Sequence, residues 1–231
     1  MTAGSIRARV RAELVDEIKA VARRHLAADG ANLSLRAVAR DMGMVSSALY
    51  RYFASRDDLL TALILDAYNA LGEAAERADA AVADRADLAG RWFAVALGLR
   101  KWALDQPHEY ALIYGSPVPG YAAPADTVGP ATRPVLVLGR ILADARPPAA
   151  GRPLPPGLAR EVRQISDVVA DGVDERIMAR GLIAWTELFG ALSFELFGRL
   201  DKTIDERDAW FEYQVQAMAD WLGVTTGGGK S

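Results

Sequence analysis

The chain has no cysteine, so neither a disulfide framework nor a thiolate metal site can be built from it. Histidine is nearly absent, with only His25 and His108. Nucleophile–base pairs are correspondingly few, and HExxH, GxSxG and GxGxxG do not occur. No run of about 18 uncharged apolar residues is present, so no membrane span is expected. The first residues, MTAGSIRARVRAEL, lack the apolar centre of a signal peptide. A cytoplasmic protein with no cofactor, no metal and no catalytic residue is the expectation. Alternation with period two is also missing. What remains is 231 residues, 51% apolar, with helical periodicity almost throughout.

Proline is unevenly placed. Five of the eleven fall in 117–134 and five in 147–156, so those stretches are expected to interrupt helices. Between them residues 135–145 can form a helix of about three turns. The other expected helices are 6–28, the segment following Ser55, 84–104, 158–169, 174–198 and 205–222. In the first, Val10, Leu14, Ile18, Val21, Ala22 and Leu26 share one stripe.

The net charge of −3 hides an asymmetry. Residues 1–57 hold ten Lys/Arg and six Asp/Glu, +4; residues 58–231 hold 17 and 24, −7. A basic head on an acidic body is the electrostatic footprint of a nucleic-acid-binding segment joined to something else.

The basic part contains SLRAVARDMGMVSSALYRYFASRDDLL, residues 34–60. Ser34 is placed to cap a helix whose apolar face is Leu35, Val38, Ala39 and Met42. Gly43 follows, where a helix ends by entering the left-handed region. Val45, Leu49 and Phe53 restart an apolar pattern at i, i+4, i+8. Ser46, Ser47, Tyr50, Arg51 and Tyr52 then face outward, and such groups contact phosphates and base edges. Ser55 caps a third helix, with Asp58 at an approximate capping-box position. Arg7, Arg9 and Arg11 precede this as a basic arm.

These residues resemble the DNA-binding motif of the TetR/AcrR family of bacterial regulators. The resemblance rests on Ser34, Val38–Ala39, Gly43, the Leu49-Tyr50-Arg51-Tyr52-Phe53 run and Ser55-Arg56-Asp57-Asp58-Leu59, and covers about residues 6–65. Val45 departs from it, since many members carry Ser there; Ser46 or Ser47 would take over that cap or contact. The resemblance implies an all-α fold: a three-helix helix-turn-helix domain over 1–57, then a helical effector-binding and dimerisation domain over 58–224. Residues 225–231 are expected as a disordered tail. Their TTGGGKS only superficially resembles a phosphate-binding loop, because Val224 stands where the first glycine belongs.

The implied function is a homodimeric repressor, released from a near-palindromic double-stranded DNA operator by a mainly apolar small molecule. An activator of the same fold is the alternative. A helical carrier or enzyme with a vestigial motif is a more distant one. The expected DNA-contacting residues are Ser34, Arg36, Val45, Ser46, Ser47, Tyr50, Arg51, Tyr52 and Arg56. Trp92, Arg100, His108, Tyr110, Tyr114, Trp185 and Phe189 are candidates to line an effector pocket, although core packing explains most aromatics equally well. Helix 174–198 is apolar on two stripes. One needs a partner, which points to Leu188 and Leu192, with Val215 and Met218 of the last helix, as a dimer interface.

Overall fold

The computed structural model describes residues 3–29, 33–148 and 152–224. The expected tail 225–231 and Gly30 lie outside them. Among the described residues all regular structure is helical: α1 Ala3–Asp29, α2 Leu35–Asp41, α3 Ser46–Leu49, α4 Arg56–Ala81, α5 Leu88–Asp105, α6 Pro107–Tyr114, α7 Val128–Ala145, α8 Pro156–Val169, α9 Glu175–Leu196 and α10 Arg207–Leu222. A short 3₁₀ turn, Ala125–Thr127, leads into α7.

The chain forms two compact units: Met1–Tyr68 with Gln106–Val128, and Asn69–Asp105 with Gly129–Ser231. Helix α4 gives its first half to one and its second half to the other.

The first unit is built on one apolar cluster. Ile18, Val21 and Ala22 of α1 pack with Leu35, Val38 and Ala39 of α2, Leu49 and Phe53, and Leu59, Leu60 and Leu63 of α4. The α1 stripe begins at Leu14; Val10, expected on it, is exposed. Ser34 caps α2 by accepting from Ala37 N–H at 3.4 Å, and Ser55 Oγ accepts from Asp58 N–H at 3.0 Å to open α4. Gly43 has φ +65°, the conformation that makes glycine the fitting residue between α2 and α3. Lys19 and Arg23 of α1 both reach Asp66 of α4, at 3.0 and 2.8 Å.

A tyrosine cluster completes this unit. Tyr110 is fully buried, its ring 5.1 Å from that of Tyr114, which meets Tyr68 edge-on at 6.3 Å. Burial, reinforced by Tyr68 and Tyr110, holds the Tyr114 hydroxyl well above its ordinary value of 10.0, and burial raises Tyr68 as well. The folded form therefore favours neutral phenols. This contribution is fully present below pH about 10 and is lost as pH rises beyond it. Tyrosinate absorbance should accordingly rise together with unfolding in alkaline titration. Normal titration of every tyrosine in a still-folded chain would contradict this.

In the second unit, α5 starts at Leu88 rather than near 84. Asp87 Oδ1 accepts from Gly90 N–H at 2.8 Å and so supplies the cap. Helix α7 is longer than proline placement suggests, for it includes Pro130 and Pro134. Pro130 sits in the first turn, where the missing N–H costs little. The turn before Pro134 is pinned by Arg133, which reaches Glu76 of α4 through Nε and NH2 at 2.9 and 2.7 Å and Asn69 Oδ1 at 2.9 Å. Tertiary anchoring thus overrides the local penalty. Helices α7 and α8 approach so closely at Gly139 that a Cβ there would stand 2.4 Å from Val169 Cγ1. Any larger residue would force them apart.

Two buried arginines tie this unit together. Arg91 bonds Asp79 and Asp144, each at 2.7 Å. Burial acts to raise the Asp79 carboxyl, yet hydrogen bonds from Arg91 and Arg85 leave it below the usual carboxylate range. Arg100 grips Glu195 bidentately at 2.8 and 2.6 Å, reaches Asp208 at 2.7 Å, and lies over the Phe211 ring. Among the described residues α9 is the one helix long and apolar enough to cross a membrane. It carries Arg176, Arg180, Glu187 and Glu195, however, and buries two stripes in this core.

Candidate nucleic-acid interface and effector region

Helix α3 is a single turn, continued by turns through Tyr50 and Arg51. Its N-cap is Val45, which makes no side-chain cap bond and is 71% exposed. The buried member of the expected i, i+4, i+8 pattern is displaced by one: Met44 packs on the core while Val45 faces solvent. Val45 is the extended N-cap of α3 (φ −71°, ψ 139°) and lies outside the helix, so the helical period cannot be carried back to it. Arg36, Ser47, Tyr50 and Arg51 are exposed, as is Ser34; Ser46, Tyr52 and Arg56 are partly covered.

Between α2 and the start of α4 lies an open concavity of about 550 Å³. Ser34, Arg36, Tyr50, Ser55 and Arg56 line it. Arg56 does not simply project: its Nε donates to the Leu33 carbonyl at 3.2 Å, joining the start of α4 to the segment before α2. Tyr52 lies beneath Arg11, whose guanidinium carbon is 4.8 Å from the ring centroid. Arg11 also donates to the Arg51 carbonyl at 3.3 Å. One arginine of the basic arm therefore holds the end of the α3 turn in place. Sequence alone showed Arg11 only as a positive charge.

The effector candidates fall in both units. His108, Tyr110 and Tyr114 belong to the first, and Trp92, Arg100, Trp185 and Phe189 to the second. His108 borders a concavity of about 300 Å³ with Leu26, Leu112 and Val118. Arg100 is fully engaged by Glu195 and Asp208 and is no isolated polar anchor. Trp92 donates its indole N–H to the Val215 carbonyl at 3.1 Å.

Trp92 and Trp185 do meet at one cavity of about 30 Å³, closed by Leu138 and Leu142 of α7, Met178 of α9 and Leu222 of α10. Helix α7, expected only as about three turns over 135–145 and given no role there, forms one wall of it. Trp185 Nε1 is buried and has no hydrogen-bond partner among the described residues.

Leu188, Leu192 and Val215 are fully buried in their own unit and Met218 nearly so, which corrects their assignment to a surface between subunits. Both stripes read from the α9 sequence point inward. A third face carries the exposed residues: Ile183 and Phe194 along α9, 54% and 57% exposed, with half-buried Gly190 between them; Tyr213 on α10 is 68% exposed and stacked on Trp210.

Residues 18–63 match the family model for bacterial regulatory proteins of the tetR family, and residues 92–218 match the model for the tetracyclin repressor-like C-terminal domain. The chain belongs to the TetR family. The HTH-type transcriptional regulators Rv1816 of Mycobacterium tuberculosis and Mb1846 of Mycobacterium bovis are each 40% identical to it over 198 residues, covering 82% of this chain and 83% of theirs. The crystal structure of SCO4313 superposes with TM-score 0.76 at 35% identity, over 92% of this chain and 98% of that one. A protein of unknown function from Rhodococcus sp. RHA1 gives TM-score 0.62 at 25% identity, over 91% and 94%. This TetR-family chain is a DNA-binding transcriptional regulator with a helix-turn-helix head, and not an enzyme.

Proposed function

We propose that this regulator is a cytoplasmic homodimeric repressor, released from a near-palindromic operator by a mainly apolar small molecule. The observation that carries the reading is the exposed polar surface on and beside α3. Ser47, Tyr50 and Arg36 stand free on a segment of charge +4. Tyr50 and Ser47, with Ser46, would face base edges; Arg36, Arg51 and Arg56 would meet phosphates, with Ser34 and Val45 at the margin. Two heads would read half-sites about 34 Å apart or a multiple of that. The functional division remains 1–57 for DNA and 58–224 for effector and partner.

The exposed Ile183 and Phe194 of α9 and Tyr213 of α10 favour a second copy as partner, since large apolar side chains left exposed on neighbouring helices mark association surfaces. The cavity between Trp92 and Trp185 favours an apolar ligand with one hydrogen-bond acceptor for Trp185 Nε1. At about 30 Å³ it holds no more than a water or two, so an effector must select a state in which α7 and α9 stand further apart. Release of DNA follows if that state binds operator more weakly.

Titrating the protein onto its own upstream DNA over a range of salt tests the reading. Arg36→Ala should weaken binding to all sequences and reduce the salt slope by about one. Wild-type binding no tighter to upstream DNA than to random duplex would reject sequence-specific repression there. An unchanged slope would reject only the Arg36 contact.

A further inference from the structure

The second unit carries a groove that neither DNA reading nor the Trp92–Trp185 cavity uses. It is about 510 Å³ in volume and lies at the N-terminal end of α9, beside the C-terminal end of α10. Arg176, Arg180 and Ile183 of α9, Trp221 of α10, and Arg152 and Leu154 before α8 form its walls, with Ala179 as floor. We propose that this groove is a binding site for a small amphipathic anion, an aromatic or short acyl carboxylate.

The charge argument comes first. The chain from residue 58 onward carries −7, yet three guanidiniums converge here and no carboxylate lines the groove. Arg176 is partly neutralised by Asp174, at 3.1 Å. Among the described residues Arg152 and Arg180 have no carboxylate within ion-pair distance. Both are therefore available to an incoming anion. Guanidinium is the group best suited to grip a carboxylate through two parallel hydrogen bonds.

The apolar half of the ligand is specified by the opposite wall. Trp221 is 42% exposed, which leaves part of an indole for a ligand to cover. Arg180 already lies over its ring, 5.1 Å from the centroid, so a flat ligand would extend an existing stack. Ile183 and Leu154 close the apolar side. The volume falls within the range of sites that enclose drug-sized molecules, which favours a small molecule over a peptide. Ile183 begins the exposed face of α9 and Phe194 lies about three helical turns further along it, so a partner copy centred on Phe194 and Tyr213 need not fill this end.

The site is tested on the full-length protein with two fluorescent probes of similar shape, anilinonaphthalene sulfonate, an anion, and N-phenylnaphthylamine, which is neutral. The anion should bind, quench Trp221 emission, and weaken with added salt. The double variant Arg152→Gln/Arg180→Gln should weaken it about tenfold or more while leaving the neutral probe, the oligomeric mass and DNA affinity unchanged. Undiminished anion binding by that variant would overturn the proposal. So would a parallel loss for both probes, which would make the groove merely apolar. A change in oligomeric mass would also overturn it, because the groove would then be a contact between copies. DNA affinity, read on the same samples, reports on the regulator reading separately.

Discussion

Phe194→Arg combined with Tyr213→Arg is expected to give a folded monomer that has lost its operator, whereas Leu188→Arg gives no folded protein. Phe194 and Tyr213 already stand in water, so charging them leaves the protomer core untouched. Exposed substitutions of this kind typically change stability by no more than about 0.5 kcal/mol. Their cost appears only where two apolar faces must meet, and two arginines per subunit would then be buried without counter-charges. Linking two heads can raise affinity for paired half-sites by roughly 10²- to 10⁴-fold, and a monomer forfeits that gain. Leu188 is fully buried. An arginine there places an unpaired charge in the core, at a cost comparable to a domain's whole stability of about 5–15 kcal/mol. Light scattering, circular dichroism and operator titration distinguish the two cases. A dimeric double variant would remove the α9–α10 face from consideration, and a folded Leu188→Arg would contradict the burial.

Removing the guanidinium of Arg100 should be the most damaging single loss of a polar group. Arg100→Met leaves Glu195, itself only 11% exposed, as a carboxylate without its bidentate partner. Breaking a buried pair from one side costs about 3–5 kcal/mol, and the lower end applies because Asp208 is 87% exposed and stays hydrated. Adding Glu195→Met should recover most of the loss, since the remaining carboxylate needs no partner. The pair of variants, followed by urea unfolding, separates a lost attraction from a stranded charge. If the double variant is no more stable than the single one, the stranded charge is not the cause. The Asp79–Arg91 bridge behaves differently with pH. Asp79 is held below its usual range, so its contribution is present above about pH 4 and lost as pH falls through the folded value.

Most of the first unit was legible in the sequence because its signals are local. Ser34, Gly43 and Ser55 each act within four residues, and the structure shows the cap bonds and the positive φ that their positions imply. The errors arose where a distant group decides the outcome. The helix through Pro130 and Pro134 depends on Arg133 reaching Glu76, 57 residues away. Met44 and not Val45 packs on the core because Val45 is an extended N-cap, outside the helix whose period was projected onto it. Helix α9 is apolar on three faces, and periodicity says that each must be covered without saying by what. Its own core covers the two regular stripes. The exposed one, with Ile183 and Phe194, is interrupted by Thr186 and Glu187 and does not form a regular stripe. Arg100 appeared free for a ligand because Glu195 and Asp208 follow it at a distance of about a hundred residues.

If the small cavity beside Trp185 takes the effector, its size has a kinetic meaning. Gly139 packs against Val169 and Gly181 against Leu142 in its lining, so the helices already stand close together and room for a molecule larger than water requires that they separate. A whole helix must move first. If the widened form occupies about one molecule in a hundred, every effector's apparent affinity is reduced about a hundredfold from its intrinsic value. The rate of response then levels off as effector is added, set by how often the helices part rather than by how often ligand arrives. Such a regulator ignores brief pulses of effector and answers sustained ones.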